Sequence, residues 1–173
     1  SGLVTEVRFE DFAHLRAEYG ELAGLRYQQL FEELAREHSG ERQIAPAQRV
    51  SDFVYGRESK SLPRTSYIPG LTASRLDLWM PENIGARLRS GIATFGRKMK
   101  GFVSDEAIVV GVESRTSTPV RIPRDPETLM HTQIEGLFPA GEGAGYAGGI
   151  VSAALDGERI ADAVARYCKA YNF

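Results

Sequence analysis

The stretch Leu137-Phe138-Pro139-Ala140-Gly141-Glu142-Gly143-Ala144-Gly145-Tyr146-Ala147-Gly148-Gly149-Ile150 decides how this chain is read. Five glycines fall between positions 141 and 149, with Gly136 just upstream. Glycine lacks a Cβ, so it permits positive φ and lets backbone approach a ligand closely. A glycine-rich turn that opens a helix also gathers free N–H groups at the positive end of the helix dipole. The run therefore suits binding of an anion or of a polar ring edge.

Gly143, Gly145 and Gly148 satisfy the spacing G-x-G-x-x-G, and Gly136 to Ala140 reads as a preceding strand. A dinucleotide fold needs more: a βαβ unit of about 30 residues with an acidic residue roughly 20 positions on, at the end of the second strand. Residues 150–171 read instead as one helix, with Ile150, Ala153, Ala154, Gly157, Ile160, Ala161, Val164 and Cys168 at three- and four-residue spacing. No second strand is left to supply that acid, and a nicotinamide-dinucleotide domain is set aside. The small stripe Ala153, Gly157, Ala161 and Ala165 predicts close packing against a sheet or another backbone. Glu142 lies inside the turn, where an ionised carboxylate accepts hydrogen bonds and repels phosphate, so it suits a polyol chain.

The segment "GLFPAGEGAGYAGGIVSAALDG" resembles the C-terminal FAD-binding motif of flavoprotein oxidoreductases, in which a strand leads into an acidic glycine turn and a helix starts under the flavin. Residues Gly111 to Ile122 with Arg124-Asp125, Ala45 to Phe53 and Ser66 to Gly70 extend the likeness to bacterial FAD-dependent dehydrogenases related to the HI0933-like flavoproteins. The resemblance implies that Glu142 binds the ribityl chain. It also implies that backbone N–H groups around Gly148, Gly149 and Ile150 face the pyrimidine edge of the isoalloxazine, and that Gly141, Gly143, Gly145 and Tyr146 belong to the same cofactor site. Tyr146 either stacks on the ring, gates access to it, or packs beneath the turn. Glu142 departs from the commoner Asp by one methylene.

The same resemblance implies a C-terminal fragment of an FAD-dependent oxidoreductase, lacking the N-terminal dinucleotide fold that grips the FAD pyrophosphate. Residues 3–110 are then the remainder of a substrate or insert domain with connecting helices, and 111–173 the C-terminal part of the FAD-binding domain. FAD belongs to the parent protein, and the fragment alone is expected to be inactive and to bind FAD poorly. Its expected partners are the missing N-terminal region, a small-molecule substrate and copies of itself. An autonomously folding, non-catalytic interaction module is the competing reading.

The fold class expected is α+β, a fragment of an α/β flavoprotein with mixed short strands and three main helices. Leu22 to Glu37 carries Leu22, Leu25, Leu30, Phe31, Leu34 and Ala35 on one side. The second helix opens at Pro81 and buries Ile84, Leu88, Ile92, Phe95 and Met99. Short strands are expected at 3–9, 72–79, 107–112, 120–122 and 136–140, with 129–134 pairing nearby. Residues 43–70 read as irregular.

With 173 residues a sizeable core is possible. Lys and Arg number 21 against 23 Asp and Glu, a net charge of −2, which gives no field to attract nucleic acid or an anionic membrane. Arg87, Arg89, Arg97, Lys98 and Lys100 cluster, read as a solvated helix face. The single cysteine, Cys168, excludes an internal disulfide. His14, His38 and His131 lack ligand spacing, so no metal is expected. No apolar run is long enough to span a membrane, and a cytoplasmic location is expected. Arg115 and Thr116 leave a buried β-run at a strand end, where sites are built in α/β folds. Arg115 either binds a substrate carboxylate, or offsets charge on reduced flavin, or pairs with an acid to order the loop.

Overall fold

The computed structural model describes residues 2–115 and 117–171. The chain divides into two compact units, one formed by residues up to Tyr19 with Arg26–Ser114, the other by Gly20–Leu25 with the residues from Arg115 on. The class is α+β, with three long helices and a small mixed sheet.

In chain order the first unit contains α1 (Phe9–Phe12), α2 (Arg16–Tyr19), most of α3 (Ala23–Glu37), β1 (Ala45–Arg49), α4 (Val50–Tyr55), β2 (Leu71–Ala73), α5 (Leu76–Trp79), α6 (Glu82–Lys98) and β3 (Ile108–Val110). The sheet order is β2-β1-β3. β1 runs parallel to β2, with Ala45 opposite Leu71, and antiparallel to β3, with Ala47 opposite Val110.

The central strand lies in the stretch read as irregular. Pro46 obscures it, because proline has no N–H to give a ladder and is ordinarily confined to edges and strand ends. Here its carbonyl accepts from Gly111 N–H at 3.0 Å, which ties the strand to the chain just past β3. The chain then turns directly into α4, whose end is set by Gly56 at φ +66. The expected strand over 72–79 is half right. Thr72 and Ala73 pair with β1, but Leu76 to Trp79 wind into a helical turn that buries Leu76. That turn joins Val50, Phe53, Met80 and Ile92 in the apolar core, with Phe31, Leu88 and Val109 packed against it.

Two buried polar clusters brace this unit. The fully buried Gln48 donates to Asp77 Oδ1 and to the Arg57 carbonyl, both at 2.7 Å, and accepts from Asp77 N–H at 3.2 Å. Arg75 grips the same Asp77 at 2.6 and 2.8 Å. Against burial, which alone would raise it, these donors hold the Asp77 carboxyl below its ordinary range. Asp11 takes Arg87 at 2.6 and 3.0 Å, Asn83 at 3.1 Å and Arg8 N–H at 2.8 Å. The Arg87 guanidinium accordingly lowers its pKa. This cluster explains why residues 3–9 form no strand: Asp11 starts a helix at Phe9 and anchors it on α6. It also withdraws Arg87 from the basic face that the sequence suggested was solvated.

The second unit is built on α7 (Ile150–Ala170), which packs Ile160 and Ala163 with Leu129, Phe138 and Val164. Its other segments are held by single links in place of strand ladders. Arg124 and His131 form one bridge, His131 N–H reaches the Leu137 carbonyl at 2.7 Å, and Ile122 N–H reaches the Ala144 carbonyl at 3.1 Å. The stretches expected as strands at 120–122 and 136–140 therefore form no ladder among the described residues, and Gly136 sits in a turn at φ +75. Proline at 119, 123 and 139 explains this, since each removes a backbone donor.

The small stripe of α7 is also corrected. Gly157, Ala161 and Ala165 are exposed, and a Cβ on Gly157 would meet nothing within 4 Å. The face that is buried carries Asp156, Ile160 and Ala163.

Candidate flavin turn and its arginine brace

The eight residues expected to hold a cofactor lie on one continuous turn leading into α7, and the local geometry separates their tasks. Gly141 has φ +65 and Gly145 has φ +84, both in the left-handed region that favours glycine. A Cβ on Gly145 would stand 2.9 Å from the Val120 carbonyl oxygen, so this glycine is required by the fold. The turn closes through Gly145 N–H to the Glu142 carbonyl at 2.9 Å and Tyr146 N–H to the Gly141 carbonyl at 3.0 Å.

Gly143 differs. It is exposed, lies outside the left-handed region, and a Cβ there would meet nothing within 4 Å. Neither strain nor packing among the described residues calls for glycine at 143. The half-buried Glu142 carboxylate makes no hydrogen bond or ion pair among the described residues and keeps its full accepting capacity.

Gly149 caps α7 in extended conformation, and its carbonyl receives the first helical bond, from Ala153 N–H at 2.9 Å. The N–H groups of Ile150, Val151 and Ser152 therefore have no partner within the helix. They stand at the positive end of a helix of 21 residues, on a surface where Gly148 and Gly149 are exposed. Ile150 is 92% and Val151 71% exposed, and Leu155 adds to this apolar surface.

Behind the turn lies a group the sequence reading did not identify. Asp156, on the buried face of α7, accepts from Arg124 at 2.7 and 2.9 Å and from Gly141 N–H at 2.8 Å. The two side chains are 6% and 7% exposed. Arg124 also donates to the Pro139 carbonyl at 2.8 Å. The Arg124 guanidinium, helped by Gly141 N–H and opposed by burial, lowers the Asp156 pKa to about 2. The signal was present in the spacing: Asp156, Ile160 and Ala163 follow i, i+4, i+7, which puts an acid on the apolar stripe.

Tyr146 completes the brace. The Arg124 guanidinium lies 3.5 Å and that of Arg121 4.3 Å from its ring centroid, and its hydroxyl donates to the Ile122 carbonyl at 3.0 Å. Tyr146 is thereby packed against the arginines beside the turn.

Arg115 is exposed where the second unit begins, and Thr116 lies outside the described residues. Ser114, just before them, is fixed by Gln28 to its carbonyl and by its own hydroxyl to Glu32, both at 2.7 Å. Among the described residues no group of three or more His, Cys, Asp and Glu side chains gathers as a metal site would require. No helix among them is long and apolar enough to cross a membrane. His131 accepts two backbone N–H bonds at its Nδ1, and His38 stacks on Trp79.

A family model described as "FAD-dependent protein, C-terminal domain-like" matches residues 1–116, more than half of the chain. The chain belongs to this family. A protein of Clostridium beijerinckii, described as uncharacterised, is 40% identical to it over 164 residues. That alignment covers 94% of this chain and 30% of the relative, so the chain spans under a third of the curated relative it matches. The family match of this FAD-dependent domain ends before the glycine turn, whereas the longer alignment is long enough to take the turn in.

Proposed function

We propose that this chain supplies the flavin-ring side of the cofactor site of an FAD-dependent oxidoreductase, and that the turn 141–150 receives the ribityl chain and isoalloxazine. The observation that carries this reading is the pairing of Gly143, a glycine that nothing among the described residues requires, with the unpartnered acceptor Glu142 at the mouth of α7. Membership of an FAD-dependent family supports it.

The residues suit the group chemically. Glu142 accepts from a ribityl hydroxyl, and Gly141, Gly143 and Gly145 keep the turn low enough for the polyol to approach. The N–H groups at Gly148, Gly149 and Ile150 stabilise negative charge on the pyrimidine edge, where preorganised dipoles act without reorganising. The Arg124–Asp156 pair, with Tyr146, fixes the turn through Gly141 N–H. FAD, when bound, supplies hydride transfer. Arg115 and Thr116 stay our candidates for the catalytic role. The exposed Ile150, Val151 and Leu155 form an apolar surface that the cofactor and the remaining flavoprotein would cover.

The experiment is cofactor retention by the full-length protein carrying Glu142→Gln or Gly143→Val. Loss of flavin with unchanged melting supports the assignment. Full retention by both variants refutes it.

A further inference from the structure

A cleft of about 540 Å³ opens in the second unit beside the brace, lined by Arg121, Arg159, Tyr146, Pro123, Pro126 and Leu129 around the Arg124–Asp156 pair. Its volume falls in the range of small-molecule sites, roughly 300–1,000 Å³. Charge distinguishes it from an ordinary surface dent. Arg124 consumes the carboxylate of Asp156, leaving two further arginines, Arg121 and Arg159, in the lining. Neither Arg121 nor Arg159 forms a hydrogen bond or ion pair among the described residues, although Arg121 lies over the Tyr146 ring. Arg159 bears on the cleft electrostatically, since its charge helps to lower the Asp156 pKa.

The rest of the wall is apolar: two prolines, a leucine and an aromatic ring. Guanidinium groups recognise carboxylates and phosphates through paired, planar hydrogen bonds and discriminate them from neutral groups. A bare inorganic ion would leave the proline and tyrosine surface unused, whereas an anion carrying a flat or aliphatic body would cover it.

We propose that this cleft is an anion site, taking a small organic carboxylate or phosphate ester whose charged end is held by Arg121 and Arg159 and whose body lies against Tyr146 and Pro126. The cleft shares Tyr146, Arg124 and Asp156 with the brace behind the turn, but Glu142, Gly143 and the exposed start of α7 are not among its walls, so anion binding here can be read without flavin.

The test is a titration of the isotopically labelled chain with phenyl phosphate, benzoate and inorganic phosphate in turn, following the arginine Nε–H signals by NMR. Saturable shifts of Arg121 and Arg159 with phenyl phosphate or benzoate support the proposal. R121Q and R159Q should each weaken that binding by about tenfold or more. R166Q, on the same helix, should leave it unchanged, and melting temperatures should hold throughout. Three outcomes overturn it: no saturable shift at millimolar probe; equal affinity in the R121Q/R159Q double variant; or inorganic phosphate binding as tightly as phenyl phosphate, which would remove any role for the apolar wall.

Discussion

Replacing Asp156 by Asn isolates the interaction on which the second unit depends. Three donors converge on this carboxylate: two Arg124 N–H groups and Gly141 N–H. Asn offers one acceptor oxygen and turns an NH2 toward the remaining donors, so Arg124 stays buried without its counter-charge. Removing one member of a buried pair costs about 3–5 kcal/mol. The apolar cluster that packs on α7 is small, with Leu129, Ile160 and Ala163 as its buried members among the described residues, so a loss of that size should melt this unit before the first. The pH dependence reads the same interaction in a second way. Asp156 is lowered from 3.8 to about 2, which corresponds to about 2 kcal/mol of stability. For a carboxylate with a depressed folded-state pKa, that stability is fully present above its unfolded value and disappears as pH falls from about 4 toward 2. The variant therefore loses more at neutral pH than the titration alone supplies, the excess being the orphaned guanidinium.

The assay is urea unfolding followed by hydrogen exchange at Gly141 N–H and along α7, with Trp79 fluorescence reporting the first unit. A cycle with Arg124→Met and Asp156→Leu, alone and together, should give a coupling of about 2 kcal/mol, the double variant costing less than the sum. Additive costs, or an Asp156→Asn loss below about 1 kcal/mol, would refute the reasoning.

Gly145→Ala should destabilise the second unit by about 1–3 kcal/mol in thermal unfolding, because the left-handed φ and the Val120 carbonyl oppose a Cβ. Gly143→Ala should change stability by less than about 0.5 kcal/mol in the same melt, there being no strain or contact to offend. Asp77→Asn should cost the first unit about 2 kcal/mol by urea unfolding at neutral pH, and this penalty should shrink as acid protonates the wild-type carboxylate, whose pKa is lowered.

The long helices were legible because amphipathic periodicity survives local context: α3, α6 and α7 each lie where the three- and four-residue spacing put them. Even so, the α6 stripe runs out of the core, leaving Phe95 and Met99 substantially exposed. Shorter elements were decided by tertiary partners that no window of sequence contains. β1 holds a proline in a central strand because its neighbours bond the residues around it. Leu76 to Trp79 coil because Leu76 has a core to enter and Asp77 has Gln48 and Arg75 to meet. At the turn, sequence marked the glycines but could not tell those the fold requires from those it does not. Gly145 and Gly143 look alike in the string and differ only when a Cβ is placed on each. Ile160 and Val164 lie in the core as the spacing put them, but Asp156 was missed because the small stripe Ala153, Gly157, Ala161 and Ala165 reads in the sequence as the inner face.

The absorbance spectrum of the full-length protein, with and without Glu142→Gln and Gly143→Val, tests the central claim most directly. The wild type should show the visible band of oxidised flavin and the variants should lose it, with helical content by circular dichroism unchanged. A wild type with no flavin band after incubation with excess FAD would contradict the claim, as would variants that bind flavin as the wild type does.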